Sequence, residues 1–286
     1  MTKSAAKRSD YAAGVGLLVA SAVAFSSTGI FTKGVEATAW AVIFWRAVFA
    51  SVSTTAYAAS RGTLRQEFLG MGRSGLAVGV IGAAGTAALI PAFKMTDIAN
   101  VALIYAAAPF LAALLAWLTI GEGITKRTAL GAAGALLGVI IIVAGSVGSV
   151  NLTGDGLALF MTFVMATIMV IYRARPDTPG AGPSVLQSIF LIPLAFGFGN
   201  PLATAGFEIA ILAVFGVMHA IASVTLAEGA KRVPSGQTAL IGALETPLAP
   251  IFAFLILAEI PATLTLIGGA VVFTAVLVSL WNKPRD

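Results

Sequence analysis

The sequence predicts an all-α polytopic membrane protein, ten transmembrane helices arranged as two five-helix halves of inverted topology. Three observations carry that prediction. Of 286 residues, 58% are hydrophobic and 10% charged, with a mean hydropathy of +0.97, against roughly 45–50% apolar and about 25% charged in a soluble domain. Apolar stretches of about 20 residues, enough to cross the hydrocarbon as a helix, recur ten times. The second half of the chain also repeats features of the first.

The ten spans are expected at about 11–31, 38–59, 74–93, 98–119, 128–147, 155–173, 184–201, 208–228, 234–257 and 262–281. The first follows Lys3, Lys7 and Arg8 as a signal peptide would; its length and the nine spans behind it favour a retained helix. The second carries a mid-span arginine, Arg46. The third (Gly75, Gly79, Gly82, Gly85) and the fifth (Gly131, Gly134, Gly138) are glycine-rich, which lets helices approach closely; packing within a monomer is the default. Prolines interrupt the fourth and ninth spans, and Pro193, Gly197 and Gly199 the seventh.

The charges set the expected orientation. With a cytoplasmic N-terminus, the inward segments hold Lys3, Lys7, Arg8, Arg61, Arg65, Arg73, Lys126, Arg127, Arg173, Arg175, Lys231, Arg232, Lys283 and Arg285, and the outward ones only Lys33 and Lys94. That bias follows the positive-inside rule and places both termini in the cytoplasm. The pI of about 9.7 thus reflects topology, and no nucleic-acid partner is expected. No cysteine is present, which excludes disulfides, thiolate metal sites and cysteine nucleophiles. A single histidine, His219, makes no metal site by itself, and no cofactor is expected. Nothing resembles a P-loop.

A shift of 137 positions pairs Lys94 with Lys231, Ala102-Leu103-Ile104 with Ala239-Leu240-Ile241, Leu118 with Leu255, Glu122 with Glu259 and Gly131 with Gly268. Pro109 meets Pro247 after one further residue. A fainter match at 140 sets Gly14, Gly16 and Leu17 against Gly154, Gly156 and Leu157, and Lys33 against Arg173. The halves are therefore expected at 1–148 and 149–286. Five spans per half is odd, so the second half enters the membrane from the opposite side, a construction found in secondary transporters that bind substrate near the midplane. Pro109 in the fourth span and Pro247 with Pro250 in the ninth each remove a backbone hydrogen bond at corresponding places. Loosened helices there either line a cavity or merely set packing angles.

The stretches "FWRAVFA" (44–50), "ALIYAAAPFLAALLAWLTIGE" with "GAAGALLGVIII" (131–142), and "ALETPLAPIFAFLILAE" with "LIGGAVVF" resemble the EamA repeat of the drug/metabolite transporter superfamily. Among its members the chain is most similar to the ten-helix, YddG-type amino-acid exporters. The resemblance implies cytoplasmic termini, location in the inner (plasma) membrane, and a central path lined by spans 1, 3, 4, 6, 8 and 9. It leaves the second span at the periphery. One departure is Ala258 before Glu259, where the first motif has Gly121 before Glu122.

Ionisable groups inside the membrane are functional candidates by default. Arg46 either offers a bidentate fork to a substrate carboxylate, or snorkels, or pairs internally to lock helices. Glu245, two residues before Pro247, either accepts a substrate ammonium or a proton, or donates to a carbonyl freed by the proline. His219 is a candidate proton carrier or substrate contact, or an interhelical hydrogen bond. Ser26, Ser27, Thr28, Thr86, Thr167, Tyr172, Ser223 and Gln237 line the cavity or knit helices. Tyr105 and Phe25 are the aromatics best suited to an apolar substrate. Glu122 and Glu259 read as interface anchors, Glu122 with Lys126 four residues on.

The function expected is export of small metabolites, amino acids first among them, by alternating access, with protons as a candidate coupling ion. Hydrophobic cations, drugs or sugars are the alternative cargo. An intramembrane enzyme is the remote alternative, since one histidine and few buried charges leave little machinery for it.

Overall fold

The computed structural model describes residues 3–121, 123, 126–145, 151–230, 232, 241–242 and 244–280. These form α1 (Lys3–Ser26), α2 (Thr28–Lys33), α3 (Ala39–Ser60), α4 (Leu64–Phe68), α5 (Gly72–Met95), α6 (Ile98–Tyr105), α7 (Ala108–Ile120), α8 (Lys126–Gly145), α9 (Asn151–Ala174), α10 (Ala181–Phe198), α11 (Gly206–Ala230), α12 (Glu245–Leu257) and α13 (Thr263–Leu280), with a 3₁₀ turn at Pro201–Ala203. No strand occurs among the described residues. In hydrocarbon a helix satisfies its own backbone groups, which is why such apolar runs fold this way.

Among the described residues seven stretches are long and apolar enough to cross a membrane: Tyr11–Lys33, Ala39–Ser60, Gly72–Met95, Ile98–Ile120, Asn151–Tyr172, Ala181–Phe198 and Gly206–Leu226. The expected fifth, ninth and tenth windows hold shorter apolar helices, Ala129–Gly145, Leu248–Leu257 and Thr263–Ala275. In the ninth window a turn at Leu244 precedes α12; residues 234–240 and 243 of that window lie outside the described residues. Pro193, by contrast, sits inside α10 without ending it.

Two spans are broken near their middles. In the fourth, Ala106 and Ala107 form a turn between α6 and α7, and Pro109 is the second residue of the new helix, where its missing N–H breaks no hydrogen bond. The first span breaks at Ser27 with no proline at all. There Ser26 Oγ donates to the carbonyl of Ala22 and Ser27 Oγ to that of Ala24, each at 2.6 Å. Such back-bonding competes with the helical ladder and bends it.

The halves of the chain echo each other in detail. Both α7 and α12 are 13 residues long, and each ends on a left-handed residue, Gly121 at φ 69° and Ala258 at φ 54°. The looser second motif therefore makes the same turn as the first, at a cost of about 1–2 kcal/mol for placing a Cβ there.

Helix α13 packs on α8, α5 on α9, α11 on both α1 and α3, and α10 on α3 and α5. The glycines of α5 face α10 and α9, with Gly79 against Leu186 and Gly85 against Val164, so this small-residue stripe is used inside the chain. One buried cluster gathers Phe93, Ile98, Val101, Phe110, Val139, Ile142 and Val272; a second gathers Val42, Ile43, Ile90, Leu191, Leu212 and Phe215. Leu130, Phe207, Leu255 and Ile260 are 70–77% exposed, an outer surface suited to lipid. Beside these clusters, Arg46 on α3 meets His219 on α11, and Ser26 on α1 meets the start of α12.

Candidate functional site

The site begins with the register of α3. Ile43, Arg46, Ala47, Ala50, Thr54 and Ala58 are all buried, spaced three and four apart as one helix face. Arg46 therefore points inward, only 3% exposed. Its Nη1 lies 3.2 Å from His219 Nδ1 on α11, and its guanidinium stands 5.6 Å from the centre of the Phe215 ring. An arginine only donates, so Nδ1 is the acceptor and the imidazole proton sits on Nε2. Arg46 Nε is buried without a hydrogen-bond partner, and no carboxylate pairs with Arg46 among the described residues. An unanswered buried N–H costs about 1–3 kcal/mol, and more on a charged group.

Around this pair stand aromatic walls. Phe25 on α1 meets the His219 ring edge to face, 5.8 Å between centroids at 78°, and Phe31 stacks on Phe215 at 5.4 Å and 9°. The break of the fourth span lies beside the start of α12, since α6 packs on α12. Tyr105 closes α6 half-buried, within electrostatic reach of the Glu245 carboxylate. Glu245 opens α12, and its carbonyl is 3.4 Å from Ser26 Oγ, which brings α1 and α12 together. The first position of α2 is Thr28, buried beside the Ser27 break. Ser223 lies half-buried on α11 one turn beyond His219. Arg46 and His219 thus sit among aromatic side chains, while Glu245 stands where α12 meets α1.

These side chains come from both halves of the chain. The sequence matches the EamA-like transporter family over residues 12–144 and again over 152–281. The chain belongs to the EamA-like transporter family. The family is one of transporters, within the drug/metabolite transporter superfamily, and its domain occurs twice here. No curated protein matches the chain. A crystal structure of a protein 18% identical covers 93% of this chain and 96% of that one with a TM-score of 0.66, which shows the same fold.

Within this EamA chain the other sequence candidates fall elsewhere. Thr86, 4% exposed, accepts from Gln187 Nε2 at 2.7 Å and so joins α5 to α10. Thr167 donates to the Phe163 carbonyl of its own helix, and Tyr172 to that of Pro179. Pro109 and Pro247 start α7 and α12 as their second and third residues. Gln237 and Glu122 lie outside the described residues. Glu259 pairs with Lys33.

Sequence reasoning missed Phe215 and Phe31, which are ordinary residues of apolar spans, and also a buried polar knot. In that knot Thr96 Oγ1 donates to Asp155 Oδ1 at 2.7 Å, Asn100 Nδ2 lies 3.3 Å from the same oxygen, and Thr265 Oγ1 donates to Asn100 Oδ1 at 2.5 Å. Asp155, fully buried, was detectable as a charged residue at the head of an apolar span.

Proposed function

We propose that this EamA protein is a secondary exporter of small amino acids, aromatic or otherwise neutral, as in the YddG-type members of the superfamily. It works by alternating access between two inverted five-helix halves in the inner (plasma) membrane, with both termini cytoplasmic. The carrying observation is the Arg46 guanidinium, buried with one nitrogen unpartnered. A substrate carboxylate satisfies it bidentately, while Glu245 on α12 takes the ammonium and Phe25, Phe215 and Tyr105 take the side chain. A zwitterion spanning both charges enters without leaving either buried group unpaired.

The Glu245 carboxylate, without an ion-pair partner among the described residues, favours a hydrophobic cation as the second reading. The two separate in proteoliposome counterflow with radiolabelled phenylalanine, threonine and lysine, alongside phenethylamine, which lacks the carboxylate. Saturable phenylalanine uptake that phenethylamine fails to inhibit, and that Arg46→Met removes in protein still monodisperse, supports the amino-acid reading. Uptake of phenethylamine that survives Arg46→Met overturns it in favour of cations. An imposed pH gradient in the same assay reports whether protons join the cycle.

A further inference from the structure

Where α2 ends, the two EamA repeats are tied by charge. Lys33 Nζ lies 2.7 Å from Glu259 Oε2 and 3.8 Å from Asp97 Oδ1, and donates to the Thr96 carbonyl at 3.1 Å. The other Glu259 oxygen, Oε1, accepts the N–H of Ile98 at 2.5 Å, at the first turn of α6. Lys33, Asp97 and Ile98 belong to the first matched repeat and Glu259 to the second.

Asp97 is the unusual member. It is the N-cap residue of α6, with the extended backbone of such a residue (φ −70°, ψ 142°), yet its side chain makes no capping hydrogen bond. Aspartate in that position ordinarily accepts from the first helical amides. Here Glu259, reaching across from the other repeat, caps the helix instead. At the Lys33 ammonium too, Asp97 stands second, 3.8 Å away against 2.7 Å. Glu259 in turn follows Ala258, the one non-glycine residue with positive φ among those described, so the carboxylate is carried on a strained turn.

We propose that Lys33, Asp97 and Glu259 form a carboxylate-exchange gate. With this end of the transport path closed, Glu259 holds the Lys33 ammonium and caps α6; when it opens, Glu259 withdraws with its repeat and Asp97 takes over both roles. Pulling an ion pair apart in a partly buried site is costly when a charge is left alone. The exchange keeps Lys33 paired and α6 capped in both states, so neither state dominates. The inference rests on the transporter assignment and is independent of which substrate is carried.

The chain has no cysteine, so one thiol introduced by Thr28→Cys, about one and a half helical turns below Lys33, reports access from the Lys33 face. The experiment follows its labelling rate by a membrane-impermeant maleimide added to that face of membrane vesicles, in the otherwise native chain and with Glu259→Gln or Asp97→Asn. Glu259→Gln keeps an oxygen able to cap α6 but removes the charge pair from the closed state alone, and is expected to raise the rate about fivefold. Asp97→Asn weakens chiefly the open state, Asp97 being only the second, 3.8 Å partner of Lys33 in the closed one, and is expected to lower it by a similar factor. A role in fold stability alone moves both variants in one direction. Opposite signs support the gate; rates that move together, or stay unchanged in either variant, overturn it. Denatured-state labelling and elution as a single species confirm that each variant is folded, with Glu259→Asp in place of Glu259→Gln, or Asp97→Ser in place of Asp97→Asn, where one is not. No substrate is present, so failure here is distinct from failure of the amino-acid reading.

Discussion

Gly216 lies on α11 one turn before His219, against α3. A Cβ there would stand 2.5 Å from Phe49 Cβ and 2.9 Å from both the Ala50 nitrogen and the Arg46 carbonyl oxygen. Carbon atoms in comfortable contact are about 3.5–4.0 Å apart, so Gly216→Ala must part the two helices by roughly 1–1.5 Å. Two of the three obstructing atoms are backbone and cannot rotate aside. The 3.2 Å contact between Arg46 and His219 then stretches beyond about 4 Å, outside hydrogen-bond range.

Overpacking costs about 1–3 kcal/mol, while replacing glycine by alanine in a helix returns about 1 kcal/mol. The net packing effect is therefore small, about 1 kcal/mol. Losing the Arg46–His219 hydrogen bond costs the fold about 1.5–3 kcal/mol more, and a displaced guanidinium that weakens one bond to the substrate carboxylate is expected to raise KM for phenylalanine counterflow about tenfold. Thermal unfolding followed by size-exclusion of the detergent-solubilised protein, together with proteoliposome KM, separates the two effects. Gly197→Ala, where nothing lies within 4 Å, is the control. An unchanged KM in Gly216→Ala refutes the claim that α3 and α11 hold the substrate site in register.

Two further substitutions test other parts of the reasoning. Glu245→Gln is expected to insert normally yet change the rate of counterflow or its pH profile; wild-type behaviour on both measures would leave Glu245 a structural role at the head of α12. Asp155→Ala removes the acceptor of Thr96 and Asn100 at a fully buried position, at about 1–3 kcal/mol for each stranded donor. A lower unfolding midpoint, partly restored in Asp155→Asn, is expected, and an unchanged midpoint would show that the knot is dispensable.

How far the sequence reached is clearest at particular residues. Composition and window length required membrane helices, because hydrocarbon leaves an apolar chain few other ways to satisfy its backbone. The Glu122/Glu259 repeat, at a shift of 137, anticipated the equal lengths of α7 and α12. The break in the fourth span was signalled by Pro109, since proline fits a helix start and not its interior. The break at Ser27 carried a fainter signal, the run Ser26-Ser27-Thr28-Gly29, whose hydroxyls compete locally for carbonyls. Even the inward face of Arg46 was legible in the spacing of Ile43, Ala47, Ala50 and Thr54.

Tertiary structure alone decided what those side chains meet. Nothing local relates Arg46 to His219, 173 positions away, or Lys33 to Glu259, 226 positions away. Those meetings depend on how α3 crosses α11 and how the end of α12 reaches α6, and crossing is set by the packing of whole helix faces. Sequence period fixes which face of a helix turns inward; only the packed bundle fixes which charge it finds there.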